Sequence, residues 1–262
     1  MSVEVEEMDS ASGAPCWVSL TTHDMAATEE FYGSVLDWSF EDGTLGPEFR
    51  VATRNGEPVA GFNETSVSPG LAVRWTVFFA VTSADDASAR ITERGGTVAV
   101  GPLVLGKGRA VVAADRECAA FGLWEGERPR GWGVGEGGAP AWLELRTNDA
   151  FAAALFYGGV FDWAKDPGYA VRYEDQYDEV RLLVGGEPVA AFVGSGAETA
   201  PDPRLHARWE VSFPVRDVAA AASAAVRAGG EVILPPHETP RGTAAALHDP
   251  HGALFSLLAP TG

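Results

Sequence analysis

The stretch from Trp142 to Trp163, WLELRTNDAFAAALFYGGVFDW, decides the fold, because a near-copy runs from Trp17 to Trp38 as WVSLTTHDMAATEEFYGSVLDW. One offset of 125 residues relates the two without a gap. It carries Trp17 to Trp142, Asp24 to Asp149, Phe31-Tyr32-Gly33 to Phe156-Tyr157-Gly158 and Asp37-Trp38 to Asp162-Trp163. An internal repeat sets the architecture before any finer reading. The chain is two copies of one unit, and its function is to be sought inside each copy.

Within the first copy, Trp17-Val18-Ser19-Leu20 alternates at period two, as a strand does. The polar turn from Thr21 follows, with Asp24 placed to cap a helix from Met25 to about Leu36. Thr28, Phe31, Tyr32 and Val35 recur at helical spacing and give that helix one face for a sheet. Glycine inside a helix costs about 1 kcal/mol against alanine, so the recurrence of Gly33 as Gly158 points to close helix–sheet packing. Short strands at Trp38 to Glu41, Phe49 to Thr53 and Pro58 to Asn63 complete one β-α-β-β-β module, the last two joined by the Asn55-Gly56 turn. A second module has a strand from Arg74 to Val81 and a helix from about Ala84 to Arg94, bounded by a Ser83 cap and a Gly95-Gly96 stop. Strands at Thr97 to Val100, Ala110 to Ala114 and Ala119 to Trp124 follow.

After the Gly-rich run from Glu125 to Gly138, which reads as a linker, the pattern returns with a growing offset. Gly56-Glu57-Pro58 matches Gly186-Glu187-Pro188 at 130 residues; Arg74-Trp75 matches Arg208-Trp209 at 134, as Asp115 matches Asp249. The added residues fall in Tyr169 to Asp178 and Gly194 to Pro203, where loops absorb them cheaply. The expected layout is a flexible acidic tail over 1–13, an α+β domain over 14–126, a linker over 127–138 and a second α+β domain over 139–260. Each domain is expected to be a curved mixed sheet of eight strands forming a cup, with the helices outside.

The 262 residues carry 37 acidic and 19 basic side chains, a formal charge of −18. Such a surface repels phosphate backbones, so no nucleic-acid partner is expected. Cys16 and Cys118 are scattered and make neither a disulfide framework nor a Cys-x-x-Cys metal site. No apolar run approaches 18 residues and no signal segment is apparent, so no membrane association and a cytoplasmic location are expected. Because the chain carries its own repeat as a partner, it is expected to be a monomer or a homodimer.

Four β-α-β-β-β modules, two per half, resemble the vicinal oxygen chelate superfamily, the glyoxalase, bleomycin-resistance and extradiol-dioxygenase group. The residues carrying the resemblance are Phe31-Tyr32-Gly33-x-x-Leu36-Asp37-Trp38, its copy ending at Trp163, the Gly95-Gly96 and Gly229-Gly230 helix ends, and Asp249-Pro250-His251-Gly252 before the last strand. The tandem arrangement is similar to two-domain actinobacterial glyoxalase-like members. Enzymes of this group hold a divalent metal through His, Glu or Gln on the cup side of four strands. The resemblance places those positions near Trp17, Gly61, Thr76 and Gly122, and near Trp142, Ala191, Glu210 and Ser256. Of these only Glu210 binds metals well, and one carboxylate does not replace three or four ligands. His23, His206, His237, His248 and His251 form no pair at ligand spacing. No metal and no cofactor are expected.

What remains is a pair of cups lined by large side chains, with Gly106 to Arg109 and Arg241-Gly242 in equivalent loops that read either as lids over the cups or as solvent-exposed turns. Trp17, Ser19 and Thr21 share a strand face, as do Arg74, Thr76 and Phe78. The second-half rows are Trp142, Glu144 and Arg146, then Arg208, Glu210 and Ser212, with Ser256 beside them. Indoles suit a planar aromatic ligand, and an adjacent arginine suits an anionic group; equally, the tryptophans can be plugs between sheet and helix, Trp75 and Trp209 most simply. Two function classes stay open. One is a protein that binds a hydrophobic or aromatic small molecule through Trp17, Ser19, Arg74, Thr76, Phe78, Trp142, Arg146, Arg208 and Ser256. The other is a lyase-, isomerase- or hydroxylase-like enzyme, using either a metal held at other ligand positions or Glu210 and Glu144, whose mutual repulsion and burial would raise a pKa. Against that stands a purely structural pairing of each Glu with Arg146 or Arg208.

Overall fold

A computed structural model describes residues 12–65, 73–174, 179–194 and 207–261. His206, nearly all of the acidic tail, residues 175–178 of the first loop addition and nearly all of the second lie outside the described residues. The first half runs β1 (Pro15–Thr22), α1 (Met25–Leu36), β2 (Ser39–Asp42), β3 (Phe49–Arg54), β4 (Glu57–Glu64), β5 (Arg74–Ala80), α2 (Ala84–Glu93), β6 (Thr97–Leu105), β7 (Gly108–Ala114) and β8 (Ala120–Glu125). The second runs β9 (Trp142–Arg146), α3 (Ala150–Phe161), β10 (Tyr169–Glu174), β11 (Glu179–Val184), β12 (Glu187–Val193), β13 (Arg208–Pro214), α4 (Val218–Arg227), β14 (Glu231–Thr239), β15 (Gly242–His248) and β16 (Leu254–Pro260).

Each half closes into one eight-stranded mixed sheet, ordered β2-β3-β4-β1-β5-β8-β7-β6 and β10-β11-β12-β9-β13-β16-β15-β14. The two modules of a half meet at an antiparallel seam, β1 on β5 and β9 on β13, and each seam is flanked by parallel pairs, β1 with β4 and β5 with β8 in the first sheet. No helix among the described residues is long and apolar enough to cross a membrane.

The repeated motif has local causes. Asp24 and Asp149 accept from the amides of Ala27 and Ala152, capping α1 and α3. Asp37 and Asp162 end those helices in the left-handed region, each at φ 57°, a conformation that aspartate tolerates better than most side chains. A Cβ on Gly33 would stand 3.3 Å from the Trp38 carbonyl, and one on Gly158 would stand 3.4 Å from the Trp163 ring. The repeated glycine therefore makes room for the tryptophan that follows the helix, rather than for the sheet. One strand expectation also changes: β6 runs on past Val100 to Leu105, because register shifts around Val98–Leu103 let it stay paired with β7.

The halves share one core. The inward faces of β5 and β13 bring Trp75 against Phe213, and Phe79 against Trp209, with ring centroids 4.9 and 5.4 Å apart. Each half's Gly-Gly turn yields to the other half's helix: a Cβ on Gly96 would lie 2.9 Å from Phe156 Cζ, and one on Gly230 would lie 2.9 Å from Phe31 Cε2. Two buried relays cross the boundary. Trp75 Nε1 donates to Tyr32 Oη (3.0 Å), which donates to Asp249 (3.2 Å). Trp209 Nε1 donates to Tyr157 Oη (3.0 Å), which donates to Asp115 (3.1 Å). Each aspartate's other oxygen accepts two backbone amides of its own turn, and burial raises both carboxyl pKa values above the usual range. With the helices and these contacts between the sheets, the opposite faces of the sheets remain for the two cups.

Candidate functional site: two unequal cups

Register places the first-half candidates together. Ser19 pairs with both Gly61 and Thr76, Trp17 with Phe78, and Phe78 with Gly122. Both glycines lie under aromatic rings. A Cβ on Gly61 would meet the Trp17 indole nitrogen at 2.6 Å, and one on Gly122 would fall within 2.3 Å of the Phe78 ring. Trp132, from the segment between the halves, lies against Trp17 with centroids 5.8 Å apart and donates its indole N–H to the Val59 carbonyl at 2.9 Å. Arg74 is exposed at the end of its strand. The first cup is therefore filled by its own aromatics, one of them brought by a segment that sequence reading assigned only as linker.

The second cup uses the same positions for charge. Glu210 stands directly opposite Glu144 across β9–β13, and Arg208 opposite Arg146. Like charges facing across a ladder repel, and here each is offset by a guanidinium. Arg146 lies 2.7 Å from Glu144 and 3.4 Å from Glu210, and Arg208 pairs closely with Glu210. Sequence reading missed Glu179 and Arg181, and had Arg241 only as part of a turn able to cover the cup. Glu179 and Arg181 of β11 come into the same set, with Arg181 2.6 Å from Glu179. Arg241, in the β14–β15 turn, reaches Glu179 at 2.6 Å and Glu144 at 3.4 Å. The guanidinium of Arg241 also covers the Trp142 ring, 4.1 Å from its centroid. The set is a chain of alternating signs, in which Glu144, Glu179 and Glu210 keep only 11, 6 and 14% of their side-chain surface.

Burial raises the Glu144 carboxyl above the ordinary carboxylate range, and Arg146 only partly offsets it while Glu210 adds to the rise. For Arg146 burial works against the charge, but Glu144 and Glu210 outweigh it and its pKa is raised. Ser256 pairs with Ser212 at the β13–β16 edge of this floor. Cys16, buried, has its thiol pushed up to about 12 and is not a nucleophile.

A divalent metal fits neither arrangement well on geometry. In the first half, rings cover two of the four family positions. In the second, Glu210 is engaged by two guanidiniums, and among the described residues no three His, Cys, Asp or Glu come together as a metal-holding group. A separate cleft of about 270 Å³ lies beside α3, lined by Asp115, Glu117, Asp149 and Phe156 among others; it brings together none of the candidate residues.

Against known proteins, residues 142–258 match the glyoxalase-like domain family. The protein CFP32 of Mycobacterium tuberculosis, provisionally named a glyoxylase, is 34% identical over 256 residues, covering 95% of each chain. The anthracycline biosynthesis protein DnrV of Streptomyces peucetius is 33% identical over 268 residues, covering 95% of this chain and 94% of its own. Among solved structures, the Mn(II)-bound glyoxalase from Novosphingobium aromaticivorans superposes with a TM-score of 0.59 at 14% identity, over 95% of this chain and 82% of that one. The 2,3-dioxygenase LapB from Pseudomonas sp. KL28 gives 0.58 at 14%, over 95% and 92%. At these identities the two structures speak to fold alone.

Proposed function

The chain belongs to the glyoxalase-like proteins of the vicinal oxygen chelate superfamily, and on that premise we propose that it is a metal-free small-molecule-binding protein whose working cup is the second. The observation that carries this reading is the contrast at matched positions. Trp17, Phe78 and Trp132 fill the first cup over Gly61 and Gly122, whereas Ser212 and Ser256 stand where Phe78 and Gly122 would, and leave Trp142, covered by Arg241, as the one large ring beside them. The ligand is a planar aromatic small molecule, a class supported by the name of the 33% identical relative in anthracycline biosynthesis. Flat rings laid against arginine and tryptophan gain both buried area and a cation–π contact.

Copying the first cup's plug into the second tests this reading. Wild type is titrated calorimetrically with a hydroxyanthraquinone, beside the double variant Ser212→Phe/Ser256→Gly and the single variant Trp132→Ala. Binding by wild type and Trp132→Ala but not by the double variant supports the reading. Binding that survives the plug, or that is lost in Trp132→Ala, places the ligand elsewhere.

A second reading has its own observation, the raised pKa of the buried Glu144 carboxyl beside Glu210. A carboxyl so placed holds its proton to higher pH than an ordinary carboxylate and can pass it to a bound ligand. Turnover of a bound ligand that is lost in Glu144→Gln, with affinity retained, would favour this enzyme reading over simple binding.

A further inference from the structure

Two groups in the second cup offer buried N–H donors with no acceptor: Arg208, at Nε and Nη1, and Trp142, at its indole Nε1. We propose that the ligand of this cup is an elongated planar anion, with an anionic oxygen (carboxylate or enolate) held on Arg208 and a neutral acceptor such as a carbonyl oxygen at Trp142. This rests on the reading of the second cup as the ligand site and adds the ligand's charge and length to it.

A buried donor without a partner forfeits the hydrogen bond it made to water, and the loss is larger when the donor is charged. Arg208 bonds Glu210 through Nη2 alone, so the rest of its guanidinium is unmatched. The pairing at this end points the same way. Glu210 is shared by Arg208 and Arg146, so two guanidiniums meet on one carboxylate there. In a chain of formal charge −18, that is a local opening for an anion in an otherwise repelling field.

The two donors also set a length. Trp142 pairs with Ser212, four residues along β13 from Arg208 and on the same face, so the two positions are about 13 Å apart along the sheet. One ligand that meets both is therefore long, and the ion-pair chain between them makes its floor polar. The first cup has Trp17 and an exposed Arg74 at the matching donor positions but lacks the ion-pair chain: Ser19, Thr21 and Thr76 stand where Glu144, Arg146 and Glu210 stand in the second.

The test uses three probes on the full chain: anthraquinone-2-carboxylate, the matching carboxamide, and acetate. Affinities are measured by calorimetry for wild type, Arg208→Gln and Arg208→Lys, and the Arg208 Nε resonance is followed by ¹⁵N NMR in wild type. Wild type should bind the carboxylate about 10- to 100-fold more tightly than the carboxamide, the range expected for one charge-assisted bond. Arg208→Gln should erase that preference while leaving the carboxamide's affinity in place, and Arg208→Lys should restore part of it. Should both variants fold poorly, the wild-type preference and a carboxylate-induced shift of Nε decide. Equal affinity for the two ring compounds overturns the anion and leaves the aromatic reading standing. If neither ring compound binds while acetate shifts Nε, the aromatic reading falls and the anion site stands. If acetate leaves Nε unmoved as well, both fall.

Discussion

Replacing Tyr157 by phenylalanine removes one oxygen from the middle of a buried relay that joins the halves. In the folded chain that oxygen accepts from Trp209 Nε1 at 3.0 Å and donates to Asp115 at 3.1 Å. Tyr157 is fully buried, and its hydroxyl proton is held far above its ordinary pKa by burial and by the neighbouring Asp115. The variant leaves the indole N–H without an acceptor, a loss of about 1–3 kcal/mol, and deletes a charge-assisted bond of about 1.5–3 kcal/mol. Sparing the hydroxyl its own desolvation returns a part, and the net cost is about 3 kcal/mol. For a chain of this size that lowers Tm by about 6–12 °C. Differential scanning calorimetry reads it, and Tyr32→Phe is the internal control, because its relay has nearly the same lengths, 3.0 and 3.2 Å. A shift below about 2 °C in Tyr157→Phe, or a large shift in one variant and none in the other, would refute the account of two matched relays binding the halves into one core.

Other expectations follow from the same contacts. Glu210→Gln strips the counter-charge from Arg208. A fully buried pair would lose about 3–5 kcal/mol, but Arg146 keeps 35% of its side-chain surface, so the cost falls to about 2 kcal/mol and Tm drops by about 4–8 °C; Thr76→Val, at the matched neutral position, should change Tm far less. Burial puts the Glu144 pKa above its ordinary 4.5, so the stability linked to its protonation is fully present below that value and lost as pH rises through the folded pKa. The Tm advantage of wild type over Glu144→Gln should therefore shrink between pH 5 and pH 8, and an advantage that grows with pH would show that Arg146 and Arg241 dominate instead. Gly96→Ala drives a Cβ to within 2.8 Å of the Ala114 carbonyl and 2.9 Å of Phe156, an overpacking of about 1–3 kcal/mol that should appear as an earlier urea midpoint.

The fold was legible because the repeat survives where local chemistry is demanding. The Asp caps at 24 and 149, the left-handed Asp37 and Asp162, and the Gly-Gly turns at 95 and 229 each answer a backbone requirement that few other residues meet. Alternation put Trp75 and Trp209 on the helix side of their strands but left plug and ligand contact both open; both are buried in the core. The cups were half legible. Strand periodicity put Glu144, Arg146, Arg208 and Glu210 on one face, and register brings them together. Glu179 and Arg181 were missed because they follow the segment where the repeat offset slips, so no first-half copy marks them. Arg241 was legible only as part of a turn able to cover the cup, and Trp132 reaches its cup from a connecting segment, where periodicity says nothing about direction; its one signal was an aromatic in an otherwise Gly-rich stretch.

The central proposal is that the first repeat fills its cup with its own aromatics, while the second, with its chain of ion pairs, is the one that takes a ligand. A crystal structure of the chain with anthraquinone-2-carboxylate tests it most directly. The account predicts one ligand per chain, its ring system along the line from Trp142 to Arg208 and its carboxylate on the Arg208 guanidinium, with Trp132 still seated on Trp17. Ligand bound between Trp17 and Phe78 with Trp132 displaced, or confined to the cleft beside Asp115 and Phe156, would contradict it.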